Sequence, residues 1–324
     1  MVDKRFWKWM PLVFGVGLAA VLWRGQAVSF GDADDYMAKA HELLTTGGYS
    51  REPFHTILPF FRVPLYPLFI ALVWKFVPES ILAIQVAQVA LSVGTSYLLY
   101  LIGWLVFKEH RAALVGALVY AFNPLALYWL GDVQSEPLFT FLMAGGLLFF
   151  SRMVVAESAS RWDAALAGVL FGLASLTRPT AWWVALALSM AVIVFRIDHR
   201  PWVRSKKRVL FLIACLVLTI APWTLSNVRK TGGFILLNDA GGYAFYVGNH
   251  PLNLGLYEGS DPRVQADILK SELQFRLTRE KTEEWQRTHG YWSLPIQERE
   301  RLWLHAGWDN LRAEPWATMR LWGY

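Results

Sequence analysis

Apolar segments separated by short polar gaps constrain the fold of this chain more than any other feature of its sequence. A helix that crosses a bilayer needs about 20 apolar residues, within a range of roughly 17 to 25. Most of the segments reach that length or nearly reach it, and the shortest does so only with its flanking residues. The segments cover residues 6–23, 81–107, 112–130, 137–155, 164–176, 180–197 and 209–223. They predict an all-α polytopic membrane protein, built as a transmembrane helical bundle with loops on its outer face.

The composition agrees with a membrane setting and excludes several other classes of protein. Hydrophobic residues make up 55% of the chain and charged residues 17%, whereas a soluble domain carries about 25% charged residues. The net charge of +6 comes from cations that gather in the gaps between apolar segments, where orientation signals lie. These cations are not interleaved with stacking aromatic residues, so no nucleic-acid partner is predicted. The single cysteine, Cys215, lies in an apolar segment, so neither a disulfide framework nor a Cys/His metal cluster is predicted.

Residues 63–77 decide the topology, because counting them as a span would reverse the side of everything that follows. This segment is short and contains Pro64 and Pro67, which suits a helix that lies in the membrane interface. With it excluded, the basic stretches at 108–111 and 196–208 lie on the same side as the basic N-terminus. The positive-inside rule then predicts a multi-pass protein of the plasma (inner) membrane, with a cytoplasmic N-terminus and the loop at 24–62 on the periplasmic or extracellular face.

Two regions follow from this topology. Residues 1–223 are predicted to form a transmembrane module of about seven spans plus the interfacial helix at 63–77. Residues 224–324 are predicted to form an outer-face loop and amphipathic helices, and the last of them resemble the start of another span, as in a chain truncated before further spans. The N-terminal segment also fits a cleaved signal peptide, although Trp7, Trp9 and Trp23 favour a retained anchor.

The predicted outer face collects charged residues from distant parts of the sequence. Arg178 lies in a short turn on the side where cations are disfavoured, so it either binds an anion or snorkels to lipid head groups. Three carboxylates stand at the start of an amphipathic helix, where a single one would suffice as a cap. Glu136 precedes Pro137 at an ordinary helix start, so its position alone favours a structural role. The charged set is Asp32, Asp34, Asp35, Arg62, Glu136 and Arg178.

Six motifs occur in order along the predicted outer face. They are "DADDY" with "AHELLTTGGY", "RVPLYPLFIAL", "YAFNPLALYWLGDVQSEPLFTFL", "GLASLTRPTA", "APWTLSN" and "GGYAFYVGNHP". Together they resemble the GT-C glycosyltransferases that use polyprenyl-phosphate sugars, a group that includes bacterial family-39-like enzymes, protein O-mannosyltransferases and lipid A aminoarabinose transferases. The resemblance covers residues 32–251, which is most of the chain. It implies a GT-C-like fold.

The resemblance also implies roles for residues that match these motifs. In those families an acidic residue four positions before a tyrosine is the proposed catalytic base. This spacing assigns the role to Asp32, with Asp34 and Asp35 as the other candidates. The basic residues of the "RVPLYP" and "LTRP" motifs, Arg62 and Arg178, are linked by resemblance to the lipid phosphate.

The remaining motif positions are assigned to substrate binding. Glu136 matches an acidic residue on the acceptor side of the pocket. Relatives often carry arginine where this chain has Ser226, so a phosphate contact there would need Arg229 or Lys230 as a substitute. A lone histidine in a turn, such as His250, is more often a structural group than a ligand. The predicted substrate-binding set is Arg62, Arg178, Glu136, Tyr66, Asn227, Asn249 and His250.

The sequence therefore predicts a membrane hexosyl- or pentosyltransferase. It would move a sugar from a polyprenyl-phosphate donor to a lipid, glycan or protein acceptor, with inversion at the anomeric carbon and with the active site on the periplasmic or extracellular face. No cofactor is predicted, and a divalent metal is compatible with this chemistry but not required. The alternative is a transporter or lipid flippase without catalytic activity. Such proteins usually carry polar groups near the bilayer midplane, often in repeated halves, whereas the charges here lie at the predicted membrane surface.

Overall fold

The computed structural model describes residues 4–25, 32–50, 62–195, 202–239, 241–242, 245, 249, 296–313 and 315–316. These residues are mostly helical, and no strand occurs among them. Three described helices are long and apolar enough to cross a membrane, or four if one bent pair forms a single span. The chain is an all-α polytopic membrane protein, so the predicted fold class is confirmed.

The chain divides into two compact units. The first comprises Met1–Ser50 and Arg62–Leu225, and the second comprises Arg51–Phe61 and Ser226–Tyr324. Helix α11 begins in the first unit and ends in the second, and α12 belongs to the second. The helices are α1 Lys4–Trp7, α2 Met10–Arg24, α3 Asp32–Thr46, α4 Leu65–Phe76, α5 Ile81–Phe107, α6 His110–Ala121, α7 Pro124–Leu130, α8 Glu136–Val155, α9 Arg161–Thr177, α10 Thr180–Phe195, α11 Trp202–Thr231 and α12 Ile296–Ala313.

The apolar segments correspond closely to helices, with two internal breaks, at residues 8–9 between α1 and α2 and at residues 122–123 between α6 and α7. The segment at 81–107 coincides with α5, whereas the segment at 112–130 is divided into α6 and α7, which are bent by 51°. Asn123 begins α7, and its Oδ1 accepts hydrogen bonds from the backbone N–H groups of Leu125 and Ala126. Pro124 follows in the first turn, where it needs no N–H partner. A helix start therefore interrupts what composition alone presents as one segment.

Helix α4 occupies the segment that decides the topology. It has 12 residues, about 18 Å of helix, which is too short to cross a bilayer. Its buried face packs into an apolar cluster with residues of α3, α5, α8, α9 and α10, while Leu68, Leu72 and Phe76 are exposed. The short helix agrees with the expectation that 63–77 is not a span, and its place in the membrane interface stays a prediction.

Glycines bring α9 close to α11. A Cβ atom added at Gly172 would lie 2.6 Å from the Cβ of Thr219, and one at Gly168 would collide with the backbone carbonyl of Leu212. Small residues four apart on one helix face allow this approach, as in many membrane helix pairs. The contact fixes the position of α9, and Arg178 follows the end of that helix directly.

Candidate functional site

Arg62 lies at the centre of the first charged cluster, just before α4. Its Nη2 donates to Asp32 Oδ1 at 2.5 Å and to Asp35 Oδ2 at 3.0 Å, and its Nε donates to the same Asp35 oxygen at 3.2 Å. The side chain of Asp32 is 50% exposed, whereas that of Asp35 is 4% exposed. Two of the three carboxylates that begin α3 thus hold one arginine, one at the surface and one in the interior.

The spacing on α3 explains this arrangement. Residues three and four positions apart lie on the same face of a helix, so Asp32, Asp35 and Tyr36 all face Arg62. The guanidinium lies 5.2 Å from the centre of the Tyr36 ring, in cation–π range. Burial acts to lower the pKa of Arg62, but the neighbouring acidic groups outweigh it and the pKa is raised. Asp34 is half-buried in the same turn.

A second set of contacts anchors the backbone of Arg62. Tyr49 Oη donates to the Arg62 carbonyl oxygen at 2.8 Å. The adjacent Ser50 is bound to α3, because the buried Lys39 donates to Ser50 Oγ at 2.5 Å and Ser50 N–H donates to Glu42 Oε1 at 2.5 Å. Burial acts to raise the pKa of Glu42, but hydrogen bonds from Lys39 and Ser50 outweigh it and the pKa is lowered. The sequence analysis missed Lys39, whose only signal is a cation on the packed side of an amphipathic helix.

The second charged pair joins the start of α8 to the end of α9. Arg178, the C-cap residue of α9, donates from Nη1 to Oε1 of Glu136, the first residue of α8. The Glu136 side chain is 25% exposed, and its Oε2 is buried with no hydrogen-bond partner among the described residues. Each charge also suits its helix terminus, since carboxylates stabilise N-termini and cations stabilise C-termini. The two predicted residues are therefore partners, although 42 positions separate them.

Tyr36 connects the first charged cluster, around Arg62, to the start of α8. Its hydroxyl donates to Ser135 Oγ at 3.3 Å, next to Glu136 in the chain, and its ring packs edge-on against Tyr66 at 4.8 Å. Burial raises the pKa of Tyr36, and this effect outweighs the attraction of Arg62 and Arg178, which acts in the opposite direction. Tyr36 is thus a neutral hydrogen-bond donor at physiological pH. The sequence analysis used Tyr36 only as the reference position that identifies Asp32.

Tyr66 packs against Tyr36 in the protein interior. It is fully buried, and its hydroxyl donates to Gln88 Oε1 at 2.5 Å. Gln88 Nε2 in turn donates to the carbonyl oxygens of Asp132 at 2.7 Å and Leu130 at 3.3 Å. The hydroxyl of Tyr66 is therefore engaged in positioning the loop before α8, and its predicted contact with substrate stays a prediction.

Two buried glutamines in α5 complete this support, and the sequence analysis missed both. The last carbonyl groups of a helix lack partners inside that helix, and α7 ends at Leu130. Gln85 Nε2 donates to the carbonyl oxygen of Gly131 at 2.9 Å, beside the bonds that Gln88 makes. The signal was available, because two amides three positions apart in a 27-residue apolar helix are costly in a membrane unless they are paired.

The buried side chain of Asp132 adds an ion pair to the same loop. It is fully buried and lies 3.4 Å from Arg24 Nη2 at the end of α2. The Arg24 guanidinium also lies 3.9 Å from the centre of the Tyr128 ring. These contacts attach residues 131–135 to α2, α5 and α7. These contacts hold Ser135, in a loop without regular structure, and Glu136, which begins α8.

The second unit places two of the predicted residues in structural roles. Asn227 Nδ2 donates to the carbonyl oxygens of Ile235 at 3.0 Å and Leu237 at 3.3 Å, which closes the turn after α11. Asn249 Nδ2 donates to the Phe245 carbonyl oxygen at 2.7 Å. His250 lies outside the described residues. Contacts of these three residues with substrate stay predictions.

Among the described residues, no group of three or more histidine, cysteine, aspartate or glutamate side chains is arranged to hold a metal ion. Asp32, Asp35 and Glu136 instead bind arginines. Each of the two guanidinium groups can bind an anion, and each carboxylate can accept a proton.

Comparison with known families assigns the chain to one of them. The family model described as dolichyl-phosphate-mannose-protein mannosyltransferase matches residues 59–225. This match covers more than half of the chain, and the chain belongs to that family. It is a GT-C membrane glycosyltransferase that uses a polyprenyl-phosphate sugar donor, so the predicted family is confirmed. No curated protein and no solved structure matches the chain.

The matched region contains the two arginines and Glu136 but begins after the carboxylates of α3. Those carboxylates are connected to it through the bonds of Arg62 to Asp32 and Asp35. The family is one of transferases, which favours an enzyme over the transporter or flippase that the sequence left as the alternative.

Proposed function

We propose that this protein transfers a hexose or pentose from a polyprenyl phosphate to a hydroxyl or amine of a lipid, glycan or protein. The observation that carries the proposal is that two carboxylate-bound arginines are linked through Tyr36. Arg62 lies beside the Tyr36 ring, and the Tyr36 hydroxyl bonds to Ser135, next to the Glu136 that binds Arg178. Arginine binds phosphate in a two-pronged geometry that lysine does not reproduce. Two such groups beside an accessible carboxylate are what a lipid-phosphate donor and a nucleophilic acceptor require.

The leaving group explains the need for the arginines. Transfer breaks the bond between the anomeric carbon and a phosphate oxygen, and the phosphate gains negative charge as that bond lengthens. Fixed guanidinium groups stabilise this charge without having to reorganise. A phosphate leaves without taking up a proton, so a second carboxylate acting as general acid is unnecessary, in contrast to glycoside hydrolysis.

The acceptor explains the need for a base. A hydroxyl or amine must lose a proton as it attacks, and a positioned carboxylate typically contributes about 10²- to 10⁴-fold to the rate. Asp32 suits this role because its side chain is half exposed while that of Asp35 is buried. The buried Oε2 atom of Glu136 offers a hydrogen-bond acceptor on the acceptor side. A single attack opposite the phosphate inverts the anomeric carbon.

The site is proposed to lie on the periplasmic or extracellular face, with the N-terminus in the cytoplasm. The support is the basic character of residues 108–111 and 196–208, which the positive-inside rule assigns to the cytoplasm. We expect reporters fused after Lys108 and Arg204 to report cytoplasm, and reporters fused after Arg51, Gly131 and Gly255 to report the opposite side. Agreement between the Lys108 and Arg51 fusions would contradict the exclusion of residues 63–77 as a span.

The donor can be tested by mass spectrometry of lipids that co-purify with the protein. We expect polyprenyl phosphate or its sugar ester to be enriched on the wild-type protein and depleted on the Arg62→Ala, Arg178→Ala double variant. Arg161→Ala is the matched control, because Arg161 is an exposed arginine at the other end of α9. Equal phospholipid profiles on all three proteins, with no prenyl phosphate, would contradict the proposed donor.

A further inference from the structure

We propose that Asp35 is a positioning residue that retains Arg62, and that the donor phosphate displaces Asp32 from the same guanidinium, so that donor binding itself releases the base. This inference rests on the proposed function. It assigns the two carboxylates of α3 that contact Arg62 different roles, although both bind the same arginine.

The contacts of Arg62 are unequal in a way that predicts which carboxylate leaves. Asp35 accepts two hydrogen bonds, from Nε and Nη2, whereas Asp32 accepts one, from Nη2. The side chain of Asp32 is 50% exposed and that of Asp35 is 4% exposed. A phosphate that arrives from solvent therefore meets the side of the guanidinium that Asp32 occupies.

The energetics point the same way. Removing the arginine from Asp35 would take a bonded cation away from a buried carboxylate, which is strongly unfavourable. Asp32 regains water when it dissociates, and exposed ion pairs contribute little to stability. A phosphate can accept two parallel hydrogen bonds from a guanidinium group, whereas Asp32 accepts one. Displacing Asp32 from Arg62 therefore costs less free energy than displacing Asp35.

Arg62 itself is held in place during the exchange. Its carbonyl oxygen accepts a hydrogen bond from Tyr49 at 2.8 Å, and its guanidinium lies 5.2 Å from the centre of the Tyr36 ring. These contacts restrict the arginine at both ends of the residue. The carboxylate of Asp32 moves rather than the guanidinium, and Arg62 stays where the leaving group needs it.

The exchange couples donor binding to catalysis. While Asp32 Oδ1 accepts the hydrogen bond from Arg62 Nη2, that oxygen is occupied and not available to the acceptor's proton. Once released, Asp32 takes the proton of the attacking acceptor as the acceptor atom bonds to the anomeric carbon. The bond from that carbon to the phosphate oxygen breaks at the same time, and its electron pair stays on the phosphate bound to Arg62. The acceptor is therefore activated only when donor is present.

Binding of farnesyl phosphate to the full-length protein in detergent micelles tests this division of roles. Asp32→Asn removes a competitor from the surface, so we expect binding about two- to fivefold tighter than wild type, the scale of an exposed ion pair. Asp35→Asn frees Arg62 from its anchor, so we expect binding about tenfold weaker or more, the scale of a hydrogen bond to a charged group. Both variants remove one negative charge from the same helix turn, so a general charge effect cannot produce opposite signs.

The controls separate this inference from the proposed function. Farnesol carries the same chain without phosphate, and Glu79→Gln removes an exposed carboxylate beyond the other end of α4. If wild-type protein binds farnesyl phosphate no better than farnesol, the proposed function fails. If wild type prefers farnesyl phosphate but Asp32→Asn binds it no more tightly, the exchange is wrong. The Asp32→Asn result decides the matter even if Asp35→Asn does not fold, because a folding defect cannot tighten binding.

Discussion

Asp32→Asn is expected to lower the rate of sugar transfer by about 10²- to 10⁴-fold, the range typical of a lost general base. Asparagine keeps the size of the side chain and its place in the first turn of α3, but it cannot accept the acceptor's proton. The bonds of Arg62 to Asp35 do not involve Asp32, so the fold is expected to survive. The measurement is single-turnover transfer from the lipid-linked sugar found by co-purification, with a melting curve for each variant.

Asp34→Asn and Asp35→Asn identify the base by comparison. If Asp32 is the base, Asp34→Asn should retain far more transfer than Asp32→Asn. Asp35→Asn should lose donor binding at low donor concentration and recover part of its rate when donor is saturating, because its defect lies in holding Arg62. Near-normal turnover in Asp32→Asn, together with a loss in either neighbour that saturating donor does not repair, would move the base and leave Asp32 as a helix cap.

Arg62→Ala and Arg178→Ala are each expected to weaken donor use by about 1.5 to 3 kcal/mol, the range for hydrogen bonds to charged groups. In kcat/KM for the donor this is a loss of roughly 10- to 150-fold at 25 °C. Lysine should restore only part of it, because lysine keeps the charge without the two-pronged geometry. The apparent affinity for the acceptor should change little, since the phosphate lies on the donor side of the reacting carbon.

A membrane anchor would give a different pattern at these positions. If the arginines only contact lipid head groups, alanine would lower expression or the melting temperature, lysine would restore both, and the donor dependence would not change. The ion pairs make a stability effect expected in any case, because Arg62→Ala leaves Asp35 buried without its cation. Donor kinetics at equal folded fraction therefore separate the two roles. An unchanged donor dependence at both positions would remove the main support for phosphate recognition.

Much of the helical architecture was predictable because it depends on local sequence. Apolar length alone predicted both ends of α5 at the observed residues. For α8 it predicted the observed end and a start one residue too late. The break between α6 and α7 was not predicted, although Asn123 and Pro124 form an ordinary helix start. A membrane span is recognised by the average hydropathy of about 20 residues. The break depends on two residues only, so the apolar residues around them concealed it.

The candidate site was predictable as a set of residues but not as a set of contacts. Sequence motifs brought Arg62, Arg178 and Glu136 to attention without indicating that the last two are bound to each other. They assigned Tyr66 to substrate binding without indicating that its hydroxyl bonds to Gln88. A motif identifies positions that are important in a family. It does not distinguish a residue that contacts substrate from a residue that positions other residues.

The sequence by itself determined that this chain is a helical membrane protein, which charged residues flank its helices, and to which family it belongs. Apolar length and flanking charge depend on residues adjacent in the chain, and family membership depends on the order of sequence motifs. None of these properties requires the chain to be folded. Only the tertiary structure decided that Asp35 is buried while Asp32 is exposed. Both lie on one face of α3, and the difference comes from how that face packs against Arg62 and α4. Burial and pairing depend on contacts between helices far apart in the chain, and helix packing determines those contacts.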